Sequence, residues 1–174
     1  MTIRSHNGKT PDIHASAYID DTALVIGDVS IGEDSSLWPM VVARGDVNSI
    51  RIGHHTNIQD GSVLHVTHDH VLAPGGVALA VGNYVTVGHK AILHACEIGD
   101  RCLIGMGSII MDNARLPGRL VVGAGALVPP GKELESGHLY VGNPARKARA
   151  LKDREIELIT YSAEHYVQLK NEYK

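Results

Sequence analysis

Aliphatic residues recur at every sixth position over most of the chain, and that spacing excludes most folds. Ile13, Ile19, Val25, Ile31 and Leu37 form one run; Ile52, Ile58 and Leu64 a second; Val81, Val87 and Leu93 a third; Ile98, Ile104, Ile110, Leu116, Val122 and Val128 the longest. Gly often follows, as at Gly32, Gly53, Gly82, Gly88, Gly99, Gly105 and Gly123, and a small residue often stands four places on, as at Ser35, Ser62, Ser108 and Ala126. A period of six is neither the 3.6 of a helix nor the two of a flat strand. It suits a coil in which each unit is a short strand and a corner, the aliphatic side chain pointing inward and Gly supplying a positive φ at the turn. Three units per turn, about eighteen residues, build a triangular prism stabilised by stacking each coil on the next. The fold class is therefore an all-β solenoid, a parallel β-helix of hexapeptide repeats over residues 1–150.

The phase slips in three places: across "WPMVVARGDVNSI" between Leu37 and Ile52, across "HVTHDHVLAPGGVALA" between Leu64 and Val81, and by one residue between Leu93 and Ile98. The second is polar and carries Pro and Gly, the mark of an excursion loop. Loops on a rigid scaffold carry function, and these breaks adjoin the densest polar chemistry of the chain. Residues 151–174 change period: Ile156, Ile159, Ala163, Tyr166 and Tyr173 fall at helical spacing. They predict a C-terminal amphipathic α-helix, N-capped by Asp153, that packs on the prism or on a neighbouring subunit.

Composition narrows the function classes. Phe is absent and aromatics are 4% of residues against 44% hydrophobic, so the core consists of thin layers of Val, Ile, Leu and Ala. With a net charge of −3 and no basic stripe, nucleic acid is not an expected partner. No apolar run reaches the ~20 residues that span a bilayer, and the first residues lack the apolar segment of a signal peptide. Cys96 and Cys102 form no CxxC pair. The expectation is a cytoplasmic protein with reduced, buried thiols and no membrane contact.

Seven of the eleven histidines lie between positions 54 and 94. His54, His55, His68 and His70 stand at a corner or in the excursion and read as solvated. His65, His89 and His94 are flanked by apolar or Gly positions of the repeat and read as part of the prism wall. In "VGHKAILHAC", 87–96, five residues separate His89 from His94, nearly one side of a triangular coil. The two therefore point off adjacent faces and do not share an ion within one chain. In a threefold trimer, His89 of one copy can meet His94 of the next. Three imidazoles with an open fourth position make a catalytic rather than structural zinc site.

"RGD" at 44–46, "NIQDGS" at 57–62, "LH" at 64–65 and "VGHKAILHAC" at 87–96, on the hexapeptide background, resemble the gamma-class carbonic anhydrases, most closely their short bacterial members. The resemblance covers nearly the whole chain; the repeat alone is shared with many acyltransferases, but the combination with these motifs is specific. It implies a left-handed β-helix, a homotrimer, and zinc at each interface, with Fe²⁺ or Co²⁺ also suited to imidazole ligands. His65 and His94 match ligands from one subunit and His89 the ligand from its neighbour. Gln59 matches a residue beside the metal-bound water, with Asn57 in the same pocket. Arg44, Asp46 and Asp60 match an ion-pair network between subunits, and Tyr161 is expected to approach the site from the tail helix. The implied activity is reversible hydration of CO2 to bicarbonate.

Two departures bear on that activity. Val47 stands where the family prototype has Glu directly after RGD, and "VTHDHVLAPGGVA" holds no Glu for proton transfer. His68 or His70 is the available substitute, since imidazole titrates near neutrality. Three other readings remain: a hexapeptide acyltransferase, which shares "VGNPARKAR" at 141–149; a metal-assisted acyl-CoA thioesterase; and a non-catalytic trimeric assembly protein.

Overall fold

The sixfold spacing becomes three columns of side chains in a left-handed parallel β-helix. The computed structural model describes residues 2–174. On the first face Ala43, Leu64, Leu93, Ile110 and Val128 pair in register, coil upon coil. On the second, Ile31, Ile52, Val81, Ile98 and Leu116 do so. On the third, the column runs from Ile19 through Leu37, Ile58, Val87, Ile104 and Val122 to Tyr140. Nearly all of these side chains are buried, and each is worth about 1.5–3 kcal/mol before chain entropy is counted. Small residues entering the corners add polar ties: Ser35 Oγ donates to the Gly53 carbonyl at 2.6 Å and Ser62 Oγ to that of Gly88 at 3.1 Å. The stack ends where His138–Val141 pairs antiparallel with Arg146–Ala150; this last strand is fully exposed and charged, which blunts the open sheet edge.

The corner glycines have a different job from the one expected. Those following the aliphatic residue do not take a positive φ. They lie where coils touch: a Cβ on Gly99 would sit 2.6 Å from the backbone nitrogen of Gly118, and one on Gly32 2.7 Å from the Gly53 carbonyl carbon. The left-handed residue comes two places later, as at Asp34, His55, Tyr84, Lys90 and Arg101, where the side chain has room outside the prism.

The slips have structural counterparts. Three extra residues bulge between the pairs Gly27–Gly45 and Val29–Ile50, carrying Asp46. The excursion leaves the first face at Thr67, whose backbone pairs with Val77, and rejoins the second at Leu79. Between Leu93 and Ile98 the left-handed corner falls early, at Ala95.

The helix spans Asp153–Glu172 and rests on the third face. Its N-cap is Lys152, not Asp153. Glu155 accepts the Lys152 N–H at 2.8 Å while Arg149 grips the same carboxylate through two 2.7 Å bonds, so the helix begins one residue early. Asp153 then lies in the first turn, where a carboxylate meets the positive end of the dipole. The buried stripe is Ile159, Ala163 and Lys170, whereas Ile156 is 44% exposed. Trp38 seats the helix end between Tyr166 and Tyr173, with ring centroids at 5.4 and 5.1 Å. Among the described residues no helix is long and apolar enough to cross a membrane.

Candidate metal centre

The first residue after each core aliphatic on the first face points outward, because side chains alternate along a strand. Arg44, His65 and His94 occupy that position on three successive coils, and His94 pairs in register with His65. Two imidazoles 29 residues apart are thereby stacked, His65 Nδ1 lying 3.1 Å from His94 Nε2.

Each ring's other nitrogen meets a carboxylate. His65 Nε2 is 3.1 Å from Asp46 Oδ1, and His94 Nδ1 is 2.7 Å from Asp112 Oδ1. An ionised carboxylate only accepts hydrogen bonds, so each of those nitrogens carries the proton. If both rings are neutral, the two facing nitrogens both present lone pairs, which a metal cation between them would satisfy. With metal–nitrogen distances of about 2.0–2.1 Å, a 3.1 Å separation subtends about 100° at the ion, near the tetrahedral angle. At His65 the surroundings favour the neutral ring. Burial, together with the nearby Arg44 charge, holds the His65 pKa below its ordinary value against the pull of Asp46. Burial pushes Asp46 up, but the hydrogen bonds from Arg44 and His65 prevail and keep it below the usual carboxylate range; Asp112 behaves likewise, through Thr67 and His94.

His89 does not join them. It lies outside the strand wall, on the corner after Val87 and Gly88, with its side chain 47% exposed and Nδ1 2.8 Å from Asp60 Oδ2. Its Nε2 has no hydrogen-bond partner among the described residues. Among the described residues no three His, Cys, Asp or Glu side chains converge to hold an ion. The expected triad of Arg44, Asp46 and Asp60 is divided: Arg44 pairs with Asp46, while Asp60 serves His89.

Gln59 and Asn57 are buried on the third face in a ladder with one direction. Gln59 Nε2 donates to Asn57 Oδ1 at 3.1 Å, Asn57 Nδ2 to Thr86 Oγ1 at 3.0 Å, and Thr86 Oγ1 to Ser162 Oγ of the helix at 3.2 Å. One Gln59 amide N–H is thereby committed, which fixes the amide's orientation and leaves its oxygen as a free acceptor. Gln59 lines a groove of about 470 Å³ with Gly88, Gly105, Met106, Ser162 and Tyr166. Tyr161 is 63% exposed and stacks on His165 at 5.9 Å, with no hydrogen bond to the histidines. In the excursion the His68 and His70 rings lie tilted against each other at 4.8 Å, again without a bond to His65 or His94. Burial pushes the Cys96 and Cys102 thiols up, the latter to about 12, which leaves both unreactive.

Sequence reasoning missed Asp112, Thr67, Thr86 and Ser162. Asp112 carried only a partial signal: the coil that pairs Leu93 with Ile110 is 17 residues long, so Asp112, 18 residues beyond His94, lies one place past its register position, in the turn that follows.

No protein-family model matches the chain. It is 50% identical over 171 residues to Protein YrdA of Escherichia coli, covering 98% of this chain and 93% of that one. It is 42% identical over 172 residues to a carbonic anhydrase of Geobacillus kaustophilus, covering 99% and 91%. It is also 42% identical over 161 residues to the mitochondrial gamma carbonic anhydrase 1 of Arabidopsis thaliana, covering 92% of this chain and 58% of the plant protein. Among solved structures, a hexapeptide transferase family protein of Anaplasma phagocytophilum superposes with a TM-score of 0.90 at 38% identity, covering 99% and 98%. The motifs, the prism and these likenesses agree: the chain belongs to the gamma carbonic anhydrase-like hexapeptide-repeat family.

Proposed function

We propose that this chain hydrates CO2 reversibly at a metal centre shared between copies of a homotrimer, with His65 and His94 from one copy and His89 from the next. One observation carries the reading: two imidazole lone pairs held face to face at 3.1 Å by carboxylates on their far nitrogens. Carboxylate-backed histidines are the usual surroundings of a bound metal. Zinc is the ion proposed, and Fe²⁺ or Co²⁺ fit the same donors. An ion held by these histidines would lower the pKa of a bound water toward neutral pH and so supply the nucleophile that CO2 hydration requires.

The remaining work falls to the chain. Asp46 and Asp112 keep protons on the outer nitrogens. Gln59, with its amide oxygen free, accepts a hydrogen bond from the O–H of water or bicarbonate, and Asn57 fixes its orientation. Arg44 is 42% exposed and, with Asp60, is available to an adjoining copy, where a charge-assisted pair sets register.

A second reading, acyl transfer or thioester hydrolysis on an acyl-CoA, draws on the 470 Å³ groove beside Gln59. That space is far larger than CO2 needs and within the range of about 300–1,000 Å³ that suits larger ligands. The test is stopped-flow CO2 hydration by protein of known metal content, beside His89→Ala. Metal-dependent hydration lost in the variant supports the anhydrase reading. A fully metallated trimer without hydration, but with hydrolysis or transfer of an acyl-CoA, favours the second.

A further inference from the structure

We infer that Asp112 and Thr67 are positioning residues for the metal centre: Asp112 locks His94 in the tautomer whose Nε2 is a lone pair, and Thr67 holds Asp112 in place. The inference rests on the metal reading of the His65–His94 pair. Both oxygens of the Asp112 carboxylate are engaged. Oδ1 lies 2.7 Å from His94 Nδ1, and Oδ2 accepts the Thr67 hydroxyl. The carboxylate therefore cannot swing away without breaking the second bond. Thr67 is itself fixed, since its backbone N–H and C=O both pair with Val77, at 2.9 and 3.0 Å. The clamp thus joins three parts of the chain: the base of the excursion, the ligand coil, and the next coil.

The geometry shows what the clamp prevents. The proton of a neutral imidazole can sit on either nitrogen. With Asp112 at Nδ1 it stays there. Released, it can move to Nε2 and donate to His65 Nδ1, only 3.1 Å away. The pair would then satisfy itself with an internal hydrogen bond, and the metal-binding lone pair on His94 would be gone. The base of the excursion, read from sequence only as a loop, is in this account part of what keeps the site open to a metal.

The test uses the full chain, metal-free and ¹⁵N-labelled. Long-range ¹H–¹⁵N correlation reads which His94 nitrogen is protonated in the wild type, Asp112→Ala and Thr67→Val. Zinc affinity is measured in parallel by competition with a chromophoric chelator. The wild type is expected to show protonated Nδ1 and bare Nε2. Asp112→Ala is expected to move the proton to Nε2 or average it between the two, and to weaken zinc about 10–100-fold. Thr67→Val keeps the carboxylate and gives a smaller shift in the same direction; it carries the test if Asp112→Ala does not fold. An unchanged tautomer in both variants overturns the proposal, as does a shifted tautomer with zinc affinity unaltered. A wild-type tautomer set by Asp112 in a chain with no zinc affinity would sink the metal reading and with it the positioning role, leaving only the Asp112 lock on the His94 tautomer.

Discussion

His65 Nδ1 faces His94 Nε2 across 3.1 Å, and neither nitrogen has any other partner among the described residues. If a metal belongs there, each ligand should be separately necessary. His65→Ala and His94→Ala are expected to lose zinc by at least about 10²-fold, beyond the 10–100-fold typical of an outer-shell change. His89→Ala should weaken zinc comparably while leaving its own prism folded, because it is an exposed corner residue. Chelation should lower the thermal midpoint of the wild type alone; a ligand at 100 times its Kd adds about 2.7 kcal/mol. Zinc titration beside analytical ultracentrifugation checks this, and a wild-type monomer binding zinc at full affinity would refute a site shared between copies.

Lys170 Nζ lies 2.8 Å from Asp34, with only 1% of the lysine side chain exposed. The hydrogen bond from Lys170 is the main cause that holds Asp34 below the usual carboxylate range, outweighing its burial. A carboxyl depressed in the folded state stabilises above its unfolded value of about 3.9 and loses that contribution as pH falls through the folded pKa. The helix end should therefore loosen in acid below about pH 4. Trp38, the one tryptophan, is 4% exposed against this helix, so its emission should shift red there. Lys170→Met should cost about 1–2 kcal/mol at neutral pH, discounted for the partial exposure of Asp34, and should flatten the acid dependence. An acid profile identical in wild type and variant would count against the latch.

The two kinds of corner glycine should respond very unequally to substitution. Gly99→Ala places a methyl 2.6 Å from the backbone of the next coil, where nothing can yield without opening the stack. A loss of about 3 kcal/mol or more is expected. Gly125 has φ +67 with nothing within 4 Å of its Cβ, so Gly125→Asn should cost under about 1 kcal/mol. Chemical denaturation of the two variants separates close approach from left-handed backbone, and equal losses would contradict the assignment.

How far these features can be read from sequence depends on how local their causes are. The columns were legible because every coil repeats the same demand, an inward aliphatic at a fixed interval, and Leu93 or Ile104 announces it without help from its neighbours. The glycine role was misread because contact between Gly99 and Gly118 is a property of two coils, while a positive φ is a property of one residue. Lys170 was missed for a related reason: a lysine on a helix reads as solvated until Asp34 is set opposite it. The histidines stood out by their clustering and apolar flanks, and their assignment to one copy or its neighbour came through family likeness. Their pairing could not be counted out in eighteens, because the excursion intervenes between His65 and His94. Asp112 lies beyond that loop, but the coil leading to it is one residue short, so a count in eighteens places Asp112 beside His94 only by missing that slip.

The ladder from Ser162 to Gln59 makes the tail helix part of the candidate site. Its donors run one way, from Gln59 to Asn57 to Thr86 to Ser162, so the amide of Gln59 is oriented by a hydroxyl on a different element. Gln59→Ala should cut CO2 hydration by about 10²-fold, the scale of losing one oriented hydrogen bond at a reacting group. Ser162→Ala leaves Gln59 in place but frees the Thr86 hydroxyl to rotate, and with it the Asn57 amide. The expected loss is several-fold in kcat with KM little changed, restored by Ser162→Thr. Thr86→Val should resemble Ser162→Ala, and the double variant should be no worse than the poorer single one, because both act through the same bond. Additive losses would mean that the helix affects turnover by some route other than the ladder, such as the wall that Tyr166 lends to the groove.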